Sequence, residues 1–233
     1  MSYADITRNN KSSLKKFSHQ KRFDIAMDLI DLKPKETLLD FGTGDGYLLQ
    51  CLHEKNAEAK LYGYDPLDFM FQELQDTIKK NKLNNIFITD KLQELPTNNF
   101  DVVTCLEVLE HFSEKNQIER LKELADRVTV KGRIVISVPL ETGLPSLLKN
   151  TVRFLIGQNK EEASLKNIVK SLFGIKIERQ QEGYIYTHIG FNHKHLEKLF
   201  GELNLKIVRK EYSPFKYLYN LVNSQVFYIL KKV

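Results

Sequence analysis

Three glycines in five positions, directly behind a short apolar run, constrain this chain more than any other feature. The stretch "LLDFGTGDGYLLQCL", residues 38–52, sets Gly42, Gly44 and Gly46 between a strand-like and a helix-like segment. Glycine has no Cβ to forbid a positive φ or to hold a ligand away, so a tight turn can form there with its amides facing a bound molecule. Asp40 stands just before the turn and Asp45 inside it. The spacing is GxGxG, not the GxGxxG that cradles a pyrophosphate, and an acid within the turn repels phosphate. A cationic ligand suits it better.

The turn belongs to a βαβ alternation. Strands are predicted at "ETLLDF" (36–41), "KLYGYD" (60–65), "NIFITD" (85–90), "FDVVTCL" (100–106) and "GRIVISVP" (132–139), each compact and rich in aliphatic or aromatic residues. Between them "YLLQCLHEKN", "PLDFMFQELQDTIKKN" and "NQIERLKELADRVT" repeat apolar residues at three- and four-residue spacing, as helices do. Parallel strands require crossovers, and the crossovers cover the sheet, so the predicted fold is α/β and doubly wound, around a mostly parallel sheet. A helix at 193–203 and strands at 205–212 and 224–232 bring the sheet to seven strands. We read residues 1–233 as a single domain. Residues 1–35 form an N-terminal helical cover, with a helix over 17–31 closed by Asp31 and Pro34. Residues 140–190 form a helical lid insertion, with amphipathic helices in "GLPSLLKNTVRFLIG" and "SLKNIVKSLFGI".

Composition narrows the class. No apolar run approaches the ~18 residues of a membrane span, and "MSYADITRNNKSSLKKF" has no secretory core, so the expected compartment is the cytoplasm. Cys51 and Cys105 lack CxxC or metal spacing and read as reduced core thiols. The net charge of +5 is uneven: residues 1–35, 143–183 and 205–233 together carry +12 and the remainder −7. An acidic body flanked by basic segments fits an anionic partner, or simply a lysine-rich solvated surface.

The second and third strands also end in acids. Asp65 closes "GYDP", nineteen residues past Gly46, where a carboxylate can accept both hydroxyls of an adenosine ribose; Asp90 can accept from an adenine amino group. In order, an acid with GxGxG, an acid after strand two, an acid after strand three and an FDVV strand resemble the class I S-adenosylmethionine-dependent methyltransferases, over roughly residues 36–142. The resemblance implies a Rossmann-like sheet whose last two strands form an antiparallel hairpin. It implies S-adenosyl-L-methionine as cofactor, with Asp40, Gly42, Thr43, Gly44 and Gly46 around the methionine part, and Asp65 and Pro66 at the ribose. Asp90 with Lys91 and Leu92 falls to the adenine, and Cys105 completes the set. A rim of Asp40, Asp45, Asp65 and Asp90 suits a cofactor whose sulfonium and ammonium are both positive.

After the fourth strand, "CLEVLEHF" spaces Glu107, Glu110 and His111 at i, i+3 and i+4, one face if the stretch turns helically. This ExxEH is similar to that of ubiquinone-pathway O-methyltransferases and of small-RNA 3′-terminal 2′-O-methyltransferases. That similarity implies a divalent ion, Mg²⁺, Mn²⁺ or Zn²⁺, on Glu107, Glu110, His111 and a later histidine, His188, with His193 and His195 as weaker candidates. Without a metal, His111 is the candidate general base, since imidazole titrates near neutral pH. His19 and His53 read as surface or packing residues.

The expected reaction is O-methylation of a hydroxyl on a small-molecule, lipid-like or saccharide acceptor, with peripheral membrane contact through a basic amphipathic lid. The alternative is metal-dependent RNA ribose 2′-O-methylation, favoured by a pI near 9.0 but lacking any RNA-binding module. A non-catalytic cofactor-binding scaffold is the alternative of another class. It would bind the cofactor and transfer nothing.

Overall fold

In the computed structural model, which describes residues 13–83, 85–141, 185, 191–215 and 223–233, the alternation of apolar runs becomes a seven-stranded sheet. Its order is β3-β2-β1-β4-β5-β7-β6. The strands are β1 (Thr37–Phe41), β2 (Lys60–Tyr64), β3 (Phe87–Thr89), β4 (Phe100–Leu106), β5 (Val128–Pro139), β6 (Leu205–Ser213) and β7 (Gln225–Lys232). The first five run parallel, and β7 lies antiparallel between β5 and β6. This is the Rossmann-like sheet with a C-terminal antiparallel hairpin that the sequence implied. The helices are α1 (Ser13–Ile30), α2 (Tyr47–Lys55), α3 (Asp68–Lys80), α4 (Glu114–Arg127) and α5 (His193–Glu202). The two helices expected between 143 and 176 lie outside the described residues.

Successive strand residues point to opposite faces, so a strand buried on both sides must be apolar without a break. Leu38 and Leu39, Val102 and Val103, and Val135 and Ile136 divide in this way. Leu38, Val102 and Val135 pack with Ile25 and Leu29 of α1, Leu49 of α2 and Leu74 of α3. Leu39, Val103 and Ile136 pack with Leu121 and Leu124 of α4 and Leu196 and Phe200 of α5. The parallel sheet is therefore covered on both faces, and its carboxyl edge is left for loops.

Two boundaries differ from the sequence reading. Strand β3 holds only three residues and ends at Thr89, where the chain turns: its hydroxyl accepts from the Lys91 amide at 3.0 Å and donates to Glu94 Oε2 at 2.5 Å. Strand β5 begins at Val128, straight out of α4, instead of at 132. Its register against β4 jumps, with Phe100 opposite Val128 but Val102 opposite Arg133. Gly132 makes this bulge feasible, since a Cβ there would lie 2.8 Å from the Asp101 carbonyl oxygen.

A partly buried arginine fixes the end of α1. Arg133 reaches from β5 to the C-terminus of α1, where Nε and Nη2 donate to the Ile30 carbonyl at 3.1 and 2.6 Å and Nη2 also donates to Asp31 O at 3.0 Å. Its Nη1 donates to Glu36 Oε1 at 2.9 Å. One side chain thus satisfies the last carbonyls of α1 and the residue before β1. Elsewhere His193, at the start of α5, is buried, and neither ring nitrogen has a hydrogen-bond partner among the described residues. Burial drives its pKa down to about 4 against the opposing field of Glu197, so the ring is neutral.

Replacing Arg133 by Ala leaves the Ile30 and Asp31 carbonyls without this donor and Glu36 with the Lys33 amide in place of the guanidinium. We expect Arg133→Ala to lower the unfolding free energy by about 2 kcal/mol in urea titrations, a typical cost for losing hydrogen bonds from a charged group, with Arg133→Lys intermediate.

Candidate functional site

The glycine turn leaves β1 at the carboxyl edge of the sheet, and all three glycines adopt left-handed backbone, with φ of 77°, 58° and 77°. A Cβ on Gly42 would lie 2.5 Å from Val108 Cγ2, and one on Gly46 2.5 Å from Leu74 Cδ1. A Cβ on Gly44 would meet nothing within 4 Å. The left-handed backbone favours glycine at all three positions; Gly42 and Gly46 also lie against side chains, while Gly44 faces open space. The turn is sewn to β2: the Gly42 and Thr43 amides donate to the Tyr64 carbonyl at 2.8 and 3.0 Å.

Asp65 is the other half of that seam. Its Oδ2 accepts from the Gly44 amide at 2.9 Å and its Oδ1 from the Leu67 amide at 3.0 Å. Only 4% of the residue is exposed. Burial pushes its carboxyl above the usual range, and the two amides oppose that push. Asp40 is as deeply buried, at 3% exposed, and its Oδ1 accepts from the Thr104 hydroxyl at 2.6 Å. Burial raises its pKa to about 6, opposed by the Thr104 and Thr43 hydroxyls and aided by the negative field of Asp65. Asp45 was expected on the rim, but it is 7% exposed and its Oδ1 accepts from the Tyr47 amide at 3.3 Å, at the start of α2. Asp40, Asp45 and Asp65 are thus all buried, and none of the three stands on an exposed rim. Asp90 and Lys91 are exposed, the Lys91 amide is held by Thr89, and Arg127 donates to the Leu92 carbonyl at 2.9 Å. Pro66 is exposed and Cys105 fully buried. Burial drives the Cys105 thiol pKa well up, and nearby Glu110 and Asp40 push the same way.

The ExxEH stretch does not turn as an α-helix. After β4, Glu107 takes a left-handed φ of 58°, and only Leu109–His111 forms a short 3₁₀ turn. The Glu107 carboxylate is drawn away, accepting from Gln225 Nε2 at 2.5 Å and lying 3.7 Å from Arg22 Nη1 of α1. Glu110 is fully buried and His111 only partly so. Among the described residues no group of three or more His, Cys, Asp or Glu side chains could hold a metal ion. His188 lies outside them. The expected ion on Glu107, Glu110 and His111 thus finds no support, because the left-handed residue breaks the shared face that the spacing implied.

The turn instead orients His111. Gln117 of α4 donates to the Leu109 and Phe112 carbonyls at 3.1 and 3.0 Å, and the Ile185 amide donates to His111 O at 2.9 Å. The His111 Nδ1 lies 2.7 Å from the Ile185 carbonyl oxygen. Against a carbonyl, Nδ1 must carry the proton, which leaves Nε2 as the acceptor in the neutral ring. Sequence reading missed Thr104, Gln117 and Gln225. Thr104 alone left a signal, a lone hydroxyl in the apolar run 102–106 of β4.

A family model described as a methyltransferase domain matches residues 15–210. The mitochondrial ubiquinone biosynthesis O-methyltransferase of Schizosaccharomyces pombe is 31% identical over 118 residues, 49% of this chain and 42% of that protein. The tRNA U34 carboxymethyltransferase of Helicobacter pylori is 26% identical over 153 residues, 63% of this chain and 54% of that protein. The chain spans about half the length of the curated relatives it matches. Among solved structures, magnesium protoporphyrin IX methyltransferase from Synechocystis, with bound SAH, superposes with a TM-score of 0.63 at 17% identity, covering 96% of this chain and 89% of that one. A SAM-dependent methyltransferase from Aquifex aeolicus gives 0.59 at 15%, covering 91% and 89%. At these identities the likeness is one of fold.

The raised pKa of Asp40 sets a pH dependence. The folded state holds this proton more tightly than the unfolded chain, so the contribution is full below about pH 4 and is lost as pH rises through about 6. Asn keeps an acceptor for Thr104 but cannot ionise. Urea titrations should therefore show Asp40→Asn gaining on the wild type between pH 4 and pH 7, by about 3 kcal/mol at most.

Proposed function

The chain belongs to the methyltransferase-domain family, and from that premise we propose that it transfers a methyl group from S-adenosylmethionine to a hydroxyl of a small-molecule, lipid-like or saccharide acceptor, with His111 as general base. S-adenosylmethionine is the cofactor of this class I domain, and the residues present fit it. Asp40 and Asp65 lend negative potential to the carboxyl edge, and Gly44 leaves the adjoining space open. Asp40 with the Gly42–Gly46 turn would hold the methionine part and Asp65 the ribose, each carboxylate oxygen having a second lone pair beyond its present bond. Asp90 and the Lys91–Leu92 loop would face the adenine. When bound, the cofactor supplies a methyl group on a good leaving group.

The chain's own work is then to align the acceptor and take its proton. The observation that carries the hydroxyl reading is the 2.7 Å contact from His111 Nδ1 to the Ile185 carbonyl, which leaves Nε2 to accept a proton. Gln117 holds the turn on which His111 sits. The left-handed Glu107, tied to Gln225 and Arg22, fastens α1 to the same turn.

The tRNA-modifying relatives favour a second reading, in which the acceptor is an RNA nucleoside. The two separate by where label goes from methyl-tritiated S-adenosylmethionine when a mixed small-molecule hydroxyl fraction and short RNA are both offered. We expect label in the small-molecule fraction. His111→Ala should bind S-adenosylmethionine as the wild type does in calorimetry while slowing transfer by about 10²–10⁴-fold. Label in RNA, with steep salt dependence, would establish the second reading. A wild-type protein that does not bind the cofactor overturns both.

A further inference from the structure

Among the described residues Glu107 joins no metal-holding group, yet α1, β5 and β7 all converge on it. Its amide donates to the Ser137 carbonyl of β5 at 3.0 Å, and its Oε1 accepts from Gln225 Nε2 of β7 at 2.5 Å. A carboxylate only accepts, so the Gln225 atom that faces it is the amide nitrogen. The same nitrogen donates to Ser137 Oγ at 2.8 Å. Gln225 is 2% exposed and Ser137 1%, which seals the amide side of this contact from water. Arg22 adds a weaker restraint. Its Nη1 lies 3.7 Å from Glu107 Oε2 with 33% and 28% of the two side chains exposed, and an ion pair so open to solvent contributes little.

The residues that follow Glu107 give this anchoring its consequence. The left-handed φ of 58° turns the chain out of β4, and the next residue, Val108, lies against the cofactor turn, its Cγ2 2.5 Å from where a Cβ on Gly42 would stand. Three residues further on, the 3₁₀ turn Leu109–His111 delivers the ring whose Nδ1 is 2.7 Å from the Ile185 carbonyl oxygen. One corner therefore sets both the contact with the glycine turn and the place of the base. Gln117 holds the far end of the 3₁₀ turn, at the Leu109 and Phe112 carbonyls. Glu107 holds the near end. A residue with a side chain keeps a left-handed backbone only where its surroundings fix it, and at Glu107 the shielded bond from Gln225 is the side chain's strongest restraint on the page.

We infer that Glu107 is a positioning residue, whose hydrogen bond from Gln225 keeps the His111 ring on the Ile185 carbonyl and so in the tautomer that can accept a proton at Nε2. The inference rests on the reading of His111 as general base, and it gives the first glutamate of the ExxEH stretch the task of a hydrogen-bond acceptor. The accepting oxygen is what matters in that task. Its charge is dispensable.

The test reads the His111 ring nitrogens by NMR of the ¹⁵N-labelled full chain saturated with S-adenosylhomocysteine, at about pH 8.5 where an ordinary imidazole is neutral, with the signal assigned by its loss in His111→Gln. In the wild type we expect one tautomer, protonated on Nδ1. Glu107→Ala and Gln225→Ala should each replace it with the averaged shifts of a mixed population, and the double variant should do no more than either alone, as for two groups that act as one. Glu107→Gln keeps an accepting oxygen and should restore the single tautomer. Calorimetry should give S-adenosylhomocysteine affinities within about twofold of the wild type throughout, because the glycine turn is held separately by Tyr64 and Asp65. Should the buried Gln225→Ala fail to fold, Glu107→Ala against Glu107→Gln decides the matter, at a side chain that is only partly buried. An unchanged Nδ1–H tautomer in Glu107→Ala overturns the inference. So does a Glu107→Gln ring that behaves as in Glu107→Ala, since the role would then depend on charge. A fall in S-adenosylhomocysteine affinity with an unchanged ring also overturns it, by assigning Glu107 to the cofactor. A wild-type ring protonated on Nε2 overturns the base reading beneath it, and a wild-type protein that binds no S-adenosylhomocysteine overturns the cofactor reading.

Discussion

The seam between the glycine turn and the end of β2 is what the site depends on. Left-handed backbone at Gly42, Gly44 and Gly46 reverses the chain within five residues, and such a turn exposes amides that need acceptors. They are supplied by the Tyr64 carbonyl and one oxygen of Asp65. Because β1 and β2 are neighbours in parallel register, with Phe41 beside Tyr64, the acceptors arrive where the turn begins. Asp65 then spends its other oxygen on Leu67, which sets the entry to α3. A single carboxylate thus fixes the turn after β1 and the loop after β2, the two segments that would embrace a cofactor.

The same economy governs the opposite side of the cleft. β4 is the centre of the sheet, and its carboxyl end must serve both the core and the site. Thr104 turns inward to Asp40, Cys105 is sealed in the core, and Glu107 leaves the strand in a conformation that costs a non-glycine residue about 1–3 kcal/mol. The compensation is visible: the Glu107 amide donates to Ser137 O at 3.0 Å, and its side chain meets Gln225 and Arg22. That strained residue re-aims the chain so that His111 faces Ile185 rather than stacking above Glu107 on a helix.

How much of this was legible in the sequence follows from how local each feature is. The glycine turn, the strand-final acids and the apolar periods of α2, α3 and α4 are written within ten or fifteen residues, and the sheet they imply formed as read. The end of β3 was not, because it depends on a hydroxyl clasp at Thr89, and the start of β5 was not, because it depends on a bulge against Asp101. The ExxEH face failed for a related reason. Spacing of i, i+3 and i+4 aligns side chains only where the backbone stays helical, and Glu107 does not. Thr104, Gln225 and Arg133 act across register from residues 64 to 118 positions away, where no short-range pattern reaches.

Two buried ionisable groups pull the stability of the fold in opposite directions with pH. Asp40, with its pKa raised to about 6, favours the folded state in acid and opposes it as it ionises. His193, lowered to about 4, does the reverse, since the unfolded chain takes up its proton first as pH falls from about 6.5. Between roughly pH 4 and 6.5 the two slopes offset each other. They differ in what can relieve them. His193, at the start of α5, is 1% exposed, with Glu197 and Lys210 nearby. Asp40 lies under a turn whose middle glycine faces open space. A positively charged group seated at that turn lowers the pKa of Asp40 and returns the stability that its ionisation costs. A buried carboxylate that opposes folding when it ionises is therefore one that a cationic cofactor stabilises, and binding and folding draw on the same buried charge.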